Sequence, residues 1–488
     1  MSHRSALLAA IINGFAFGTT YSIILQSDNE LQIKQLVESI VARINKSMST
    51  YIENSIISNI NVGNQVEIDT DFENVFNASK LVWQQSKGYF DPTVGSLVNA
   101  STASIAGLAA TASVVPISIS NANHTDGEKG LPEFISWKDR NALIVHSDKG
   151  IETHRSAIGE SLITPNRNVY IRNNMPTMTD DQIGNRNDWK VSIEGVKNPK
   201  TFTLAQLKKL GHTTMASILQ CSGNGRGFFE HKVRGSQWKT GAAACVFWTG
   251  VPMKAVVEAC GGVNASAVFM TSAGVDHEPT GLDPKKAMVE RSVPKVVFKD
   301  AMLAWEMNGV PLPNAHGGPL RMVTPGYFGI NNVKHLGRVA FTEKESSVKY
   351  MKKSYRISPI GKKGSQYPSC WEMPVKSWIT RPTDETGTVR AGKVQIVGVA
   401  MGGTKKVRSV KVSVDGGKSW KRAKFIGPDL GKYAWRQFAF EANLKSGTYN
   451  IASLASNGSK KQPELRMENR RGYAHNGWKD HSVNITVV

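Results

Sequence analysis

The sequence predicts an α+β chain of several domains: a helix-bearing N-terminal segment, a mixed α/β middle and an immunoglobulin-like β-sandwich at the C-terminus. Three observations predict it. The chain has 488 residues, and at roughly 100–200 residues per domain that length holds two to four domains. Apolar residues recur at helical spacing near the start and alternate with polar ones near the end. Between the two, glycine and proline (44 and 20 in all) punctuate short apolar runs. A composition of 40% hydrophobic and 20% charged residues excludes collagenous, coiled-coil and wholly disordered classes. Four cysteines are too few for a disulfide scaffold. No stretch of about 18 strongly apolar residues occurs, so no stable membrane insertion is expected.

Residues 1–100 form the first segment. From Leu31 to Met48, Ile33, Leu36, Val37, Ile40, Val41 and Ile44 fall on one helical face. Phe72, Val75, Phe76, Val82 and Trp83 predict a second helix, and Phe15 to Leu25 a strand. Residues 101–130 are a signal-like segment and linker: Ser101 to Asn123 carries no charge, and its apolar middle, Ile105 to Ile119, has the length and small-residue bias of a secretory h-region. A small-residue linker or half-buried helix accounts for that composition equally well. Residues 131–385 read as short strands and turns with few long helices. From 386 to 488 the pattern is β. Val394, Ile396 and Val397 lead to Gly402-Gly403, and Val410, Val412 and Val414 alternate up to Asp415-Gly416-Gly417, which reads as a hairpin. About seven short strands over roughly a hundred residues predict the sandwich.

Charge is unevenly spread. The net charge is +21, yet residues 1–100 hold 6 Lys+Arg against 9 Asp+Glu, so the remainder carries +24. A basic body fits small anions or polyanions as partners, and equally a solvated basic surface. Nucleic acid is not expected, because no zinc-finger spacing, basic zipper or RNA-binding aromatic signature accompanies the charge.

The most informative stretch is Ser217-Ile218-Leu219-Gln220-Cys221-Ser222-Gly223-Asn224-Gly225-Arg226-Gly227. An apolar strand delivers one cysteine onto a glycine-rich turn, where the backbone can approach a ligand closely. Arg226 lies five positions on, and Arg234 follows in Val233-Arg234-Gly235. A thiolate is both a nucleophile and a soft-metal ligand. Cys245, Cys260 and Cys370 are too far apart for a Cys-x-x-Cys zinc site. On chemistry alone Cys221 stands as a metal ligand, a nucleophile with a histidine partner, or a small buried hydrophobe.

From about Leu131 to Val488 the chain resembles the sulfite oxidases, molybdopterin enzymes. The likeness is carried by Leu219-Gln220-Cys221-Ser222-Gly223-Asn224, by Ile163-Thr164-Pro165-Asn166 leading to Arg172-Asn173-Asn174-Met175-Pro176, and by Gly235-Ser236-Gln237-Trp238-Lys239-Thr240-Gly241. Ala304-Trp305-Glu306-Met307-Asn308-Gly309, His316-Gly317-Gly318-Pro319-Leu320-Arg321 and Val333-Lys334-His335-Leu336-Gly337-Arg338 follow in order, with Ser413-Val414-Asp415-Gly416-Gly417 and Asn469-Arg470-Arg471-Gly472 in the C-terminal dimerisation domain. The resemblance implies oxidation of sulfite to sulfate by oxo transfer at a molybdenum–molybdopterin cofactor (Moco), with Cys221 as the protein's thiolate ligand to the metal. It assigns Arg172, Arg226, Arg234 and Arg471 to the basic substrate pocket, Tyr355 to a hydrogen bond near the reacting oxygen, and Asn174, Asp276, His316, Arg321 and Lys334 to the cofactor. Guanidinium forks suit oxyanion geometry. Asn174 stands where many relatives have His, Arg234 where they have Lys, and Ser354 where an acid precedes the tyrosine. These departures bear on pH profile and affinity. With no haem-attachment Cys-x-x-Cys-His, the electrons are expected to leave singly to a separate c-type cytochrome. A homodimer is implied as well.

Residues 1–100 resemble the N-terminal third of ApbE-type FAD:protein FMN transferases, through Gly18-Thr19-Thr20-Tyr21, Met48-Ser49-Thr50-Tyr51-Ile52 and Phe90-Asp91-Pro92-Thr93-Val94-Gly95. The match stops near Asn99-Ala100, before that family's magnesium and flavin segments, so a truncated α/β fragment with no FAD or FMN is expected there. The alternatives to sulfite oxidation are another oxo-transfer reaction on the same fold, FMN transfer by the N-terminal fragment, and a non-enzymatic anion-binding module. The signal-like segment makes a periplasmic location the expectation, although no Arg-Arg pair precedes Ser101.

Overall fold

A computed structural model describes residues 9–16, 19–26, 30–48, 54–61, 64–85, 130–231, 233–275, 283, 286 and 288–488. The 101–123 segment, the Phe90 to Gly95 motif and Asp276 lie outside the described residues. The chain divides into two units, Met1–Asn123 and His124–Val488.

In the first unit β1 (Ala9–Ala16) and β2 (Thr19–Gln26) pair antiparallel, with Gly14 opposite Tyr21. The single strand predicted over Phe15 to Leu25 is therefore corrected to the end of one strand and most of another. The apolar run is long enough for two strands of ordinary length, and it folds back on itself. The two predicted helices form as α1 (Glu30–Met48) and, after the short α2 (Ile56–Asn61), as α3 (Thr70–Gln85). Asp69 accepts from the Phe72 amide and the Ser47 hydroxyl, both at 2.8 Å, which starts α3 and ties it to the end of α1.

The second unit opens with a three-stranded antiparallel sheet, β3 (Leu143–Ser147), β4 (Gly150–Thr153) and β5 (Ile171–Arg172). Two larger sheets follow, built from β6 (Lys190–Glu194), β7 (Lys200–Thr203), β8 (Thr213–Gln220), β9 (Ala243–Pro252), β10 (Phe269–Gly274), β11 (Glu290–Pro294), β12 (Met302–Met307), β13 (Val310–Pro311), β14 (Arg321–Val323) and β15 (Leu336–Thr342). Their orders are β11-β10-β15-β6-β7 and β13-β12-β9-β8, with β14 paired to β12. All of these pairs are antiparallel except β15 with β6. Val191, Ile193, Met270 and Val339 from the first sheet share one core with Val251, Leu303 and Met322 from the second. β8 runs from exposed residues at its start to five buried ones at its end, so it carries Cys221 inward.

The C-terminal sandwich stacks β16-β18-β22-β21 against β17-β24-β23-β19-β20, where β16 is Lys376–Arg381, β17 Thr388–Val389, β18 Gly392–Met401, β19 Ser409–Ser413, β20 Lys421–Arg422, β21 Lys424–Ile426, β22 Arg436–Leu444, β23 Gly447–Ser456 and β24 Val483–Val487. In β24, Val483, Ile485 and Val487 are buried while Asn484 and Thr486 are exposed, the alternation of a strand with one face on a core. The hairpin predicted across Gly402-Gly403 is corrected: β18 and β19 lie in different sheets. β16 and β22 already occupy both edges of β18, so the chain must cross to the facing sheet.

A mixed cluster with Cys245, Phe328, Tyr355, Trp378, Trp435 and Tyr473 packs the sandwich onto the layers before it. Beside it Lys376 is fully buried, and its ammonium reaches the Asn224 carbonyl at 3.3 Å in the cysteine loop. Burial pulls its pKa from 10.5 down to about 7, against the pull of Glu152 and Asp480. Between about pH 7 and 10.5 the unfolded chain therefore holds a proton that the folded chain has released, so stability rises with pH across that window. Chemical denaturation of Lys376→Met is expected to lose this rise, whereas an unchanged slope would assign it to other groups.

Candidate active site

The strand β8 ends at Gln220, and the next residue, Cys221, turns into a loop closed by its own backbone. The Cys221 amide donates to Ala242 O at 2.9 Å, Asn224 N to Cys221 O at 3.0 Å, and the Gly223 amide points to Sγ at 3.5 Å. Two glycines in this loop are dictated by neighbours. A Cβ on Gly223 would stand 2.4 Å from Arg226 Nη2, and one on Gly225, at φ +100°, would stand 2.5 Å from the His475 ring. The far end of the sandwich closes over the same loop, with Ala474 N donating to Ser222 O at 2.9 Å.

Cys221 opens onto a cleft between β8 and the segments that carry Arg172 and Lys334. Arg172, Asn174, Cys221, His316, Arg321, Lys334 and Tyr355 all line it, so the structure gathers seven of the residues singled out from sequence. Among the described residues that line it there is no Asp or Glu. At one side Asn174 Oδ1 accepts from Arg172 Nη2 at 2.9 Å and from Tyr355 Oη at 3.2 Å. One amide oxygen thereby fixes a guanidinium and a phenol. Burial works against the charge of Arg172, but Tyr355, Cys221, Tyr473 and Tyr350 outweigh it and hold its pKa above the ordinary value.

At the other side Arg321, Lys334 and His316 collect. Arg321 is 2% exposed, donates to the His316 carbonyl at 2.7 Å and lies 5.3 Å from the centre of the Trp248 ring. Burial lowers its pKa to about 10, so it remains a cation at neutral pH. Lys334 Nζ donates to Asn173 Oδ1 and to Ala315 O. His316 is neutral, held well below the imidazole range first by burial and then by Lys138, Lys334 and Arg321. The nitrogens His316 Nε2 and Arg321 Nε, and the hydroxyl of Ser222, are buried with no partner among the described residues, which is costly unless a ligand completes them.

Four predicted residues fall elsewhere. Arg226 is buried beneath the cysteine loop, where Nε donates to Arg471 O at 3.0 Å and Nη1 to Ser236 O at 3.2 Å, with its guanidinium 5.4 Å from the Tyr473 ring. Arg234 and Arg471 are exposed. Asp276 is outside the described residues. Sequence reasoning missed Lys138, whose buried ammonium donates to the Asn166 and Val169 carbonyls at 2.6 and 2.8 Å behind His316. It also missed Tyr170, a buried phenol in the cleft that burial and then Cys221 push well up. Neither sits in a motif with a chemical signature of its own.

The donor set fits a metal cofactor that brings ligands with it. The cleft offers one thiol, the imidazoles of His316 and His335 and several fixed cations, and among the described residues no three His, Cys, Asp or Glu groups converge as a metal site. Unpartnered donors beside Arg321 suit an anionic tail. This is the layout of a molybdopterin oxidoreductase, and residues 176–350 match the oxidoreductase molybdopterin binding domain, with residues 367–487 matching the Mo-co oxidoreductase dimerisation domain. The chain is 32% identical over 372 residues to the mitochondrial sulfite oxidase of Rattus norvegicus, covering 71% of this chain and 66% of that one. It is 30% identical over 357 residues to the sulfite oxidase of Arabidopsis thaliana, covering 67% of this chain and 89% of the plant protein. The chain belongs to the sulfite oxidase family. The crystal structure of the sulfane dehydrogenase SoxCD from Paracoccus pantotrophus shares the fold, with a TM-score of 0.59 at 24% identity over 74% of this chain and 91% of that one. Residues 17–128 match the ApbE family, a match that extends past the Asn99-Ala100 limit expected from the motifs.

Proposed function

We propose that the chain oxidises sulfite to sulfate with molybdopterin-bound molybdenum on Cys221, and passes the electrons singly to a separate c-type cytochrome. The observation that carries this reading is a cleft in which the Cys221 thiol, Arg172 and the Tyr355 phenol converge, with no carboxylate among the described lining residues. The reaction balances as sulfite plus water giving sulfate, two protons and two electrons. When bound, the cofactor supplies the oxygen-atom transfer and takes up the electron pair.

The chain's own residues bind and orient. Arg172 presents a guanidinium to an oxyanion, and Asn174 prevents it from turning away by accepting from Nη2. The same Asn174 oxygen holds Tyr355 Oη, so phenol and guanidinium approach the substrate as one rigid unit. Arg321, Lys334 and His316 hold the anionic end of the cofactor, and Asp276 is assigned to the cofactor's pterin portion on its sequence match. Arg226 holds the cysteine loop in shape from beneath. The exposed Arg234 and Arg471 draw anions towards the cleft. Resemblance of residues 367–487 to a dimerisation domain supports a homodimer, and the uncharged composition of Ser101 to Asn123 supports a periplasmic location.

The test is sulfite-dependent ferricyanide reduction by the full chain, produced in a host that makes molybdopterin, with metal content measured on the same sample. Turnover at two ferricyanides per sulfite is the expected result. Metal-loaded protein that ignores sulfite would overturn the substrate and leave a different oxo-transfer reaction for the same site.

A further inference from the structure

Arg291, on β11, has no part in the chemistry above. It is 1% exposed, and neutral oxygens alone hold its guanidinium. Nε donates to Asn331 Oδ1 at 3.2 Å, Nη1 to the Tyr350 carbonyl at 2.5 Å, and Nη2 to Ser369 Oγ at 2.5 Å. The nearby Arg356 pairs with Glu345, but among the described residues no carboxylate pairs with Arg291. Its guanidinium carbon lies 5.8 Å from the centre of the Tyr355 ring. That ring is stacked at 5.4 Å on Tyr473, and its backbone sits at φ +54°, a conformation that non-glycine residues rarely hold without support. Cys370, Tyr355, Tyr473 and Arg356 are the titratable and charged groups around it. Burial lowers its pKa to about 10, which leaves it charged at neutral pH.

A buried cation with no counter-ion destabilises a fold unless a negative charge arrives to offset it. The surface facing that cation across the Tyr355 ring is the cleft, where no Asp or Glu is among the described lining residues. Water does not screen a charge in this position, so its field reaches the cleft at low effective dielectric. We propose that Arg291 is a positioning and anion-selecting residue, a fixed cation that holds Tyr355 from behind and favours doubly over singly charged oxyanions in the cleft. The inference rests on the reading of the cleft as an oxyanion site, and it extends that reading to the charge of the substrate.

The experiment is equilibrium binding of sulfate and of nitrate to the molybdenum-loaded chain by calorimetric titration. A Coulombic contribution doubles with ligand charge. Arg291→Gln is expected to weaken sulfate by roughly tenfold and nitrate by roughly threefold. Arg291→Lys, which keeps the charge, should restore most of the difference between the anions. Removing the guanidinium leaves three oxygens without a donor and can itself prevent folding. Ser369→Asp avoids this, because it sets a carboxylate on Nη2 and cancels the charge with the side chain in place. It should give the same unequal loss. Equal losses for the two anions, or none, would overturn the proposal, as would wild-type protein that binds neither. Unequal losses in a protein that does not turn over sulfite would support Arg291 and defeat the substrate reading; turnover of sulfite with equal losses would do the reverse.

Discussion

Cys221→Ser is expected to lower sulfite-dependent ferricyanide reduction by at least about a thousandfold, equivalent to roughly 4 kcal/mol or more of transition-state stabilisation. Cys221 is the one cysteine among the described residues lining the cleft, 8% exposed at the buried end of β8, and the Gly223 amide addresses its Sγ. A hydroxyl fits the same space but is a harder and weaker ligand for a metal that favours sulfur. The fold should tolerate the change, because the loop is held by backbone bonds and by Asn224, whose side chain reaches Gln220, Thr240 and Ala242. The cofactor-free variant should therefore melt within a few degrees of wild type, about the shift that 1 kcal/mol produces in a chain of this size. Rescue by another cysteine is not expected. Cys245 and Cys370 are fully buried, and burial pushes both thiols up to about 12. Activity retained within tenfold would show that Cys221 is not the metal's ligand.

The parts of this site that were legible in the sequence are those whose signal is local. A strand, a cysteine and three glycines in one stretch announce a thiol on a tight loop. The alternation of Val483, Ile485 and Val487 announces a half-buried strand in the same way. Pairing is less legible. Nothing local to Gly402-Gly403 reveals that β18 already has partners on both edges. Residues whose role depends on distant backbone are least legible of all. Arg226 reads as a pocket cation from its place beside Cys221, yet its guanidinium is fixed by a carbonyl 245 positions along the chain. Lys138 and Arg291 have no motif to mark them, because their meaning comes from carbonyl and amide oxygens that only the fold assembles around them.

Exposed and buried cations also do different work, and salt separates them. The +24 carried by residues 101–488 is mostly solvated charge, screened beyond about 8 Å at physiological ionic strength. Arg172, Arg321 and Lys334 are held by named acceptors at the wall of one cleft. Raising the salt concentration weakens the attraction of anions by Arg234 and Arg471 while leaving the grip of the buried set largely intact.

Arg321→Met is therefore expected to separate stability from cofactor retention. In the folded chain Arg321 is a buried cation with one nitrogen unpartnered and no carboxylate paired to it among the described residues. Methionine supplies similar bulk against Trp248 without a charge to desolvate. Replacing a buried ion with an apolar side chain is often neutral or stabilising by about 1–4 kcal/mol. The cofactor-free variant should accordingly melt at or above the wild-type temperature. Loading should move the other way. Truncating one member of a buried charge pair costs about 2–5 kcal/mol, so the anionic end of the cofactor would be held at least thirtyfold less tightly, and purified protein should contain less than about a tenth of the wild-type molybdenum. Metal analysis and thermal melts on the same preparations read both effects. A variant that melts lower and keeps its molybdenum would mean that Arg321 supports the fold through His316 and Trp248 and does not face the cofactor.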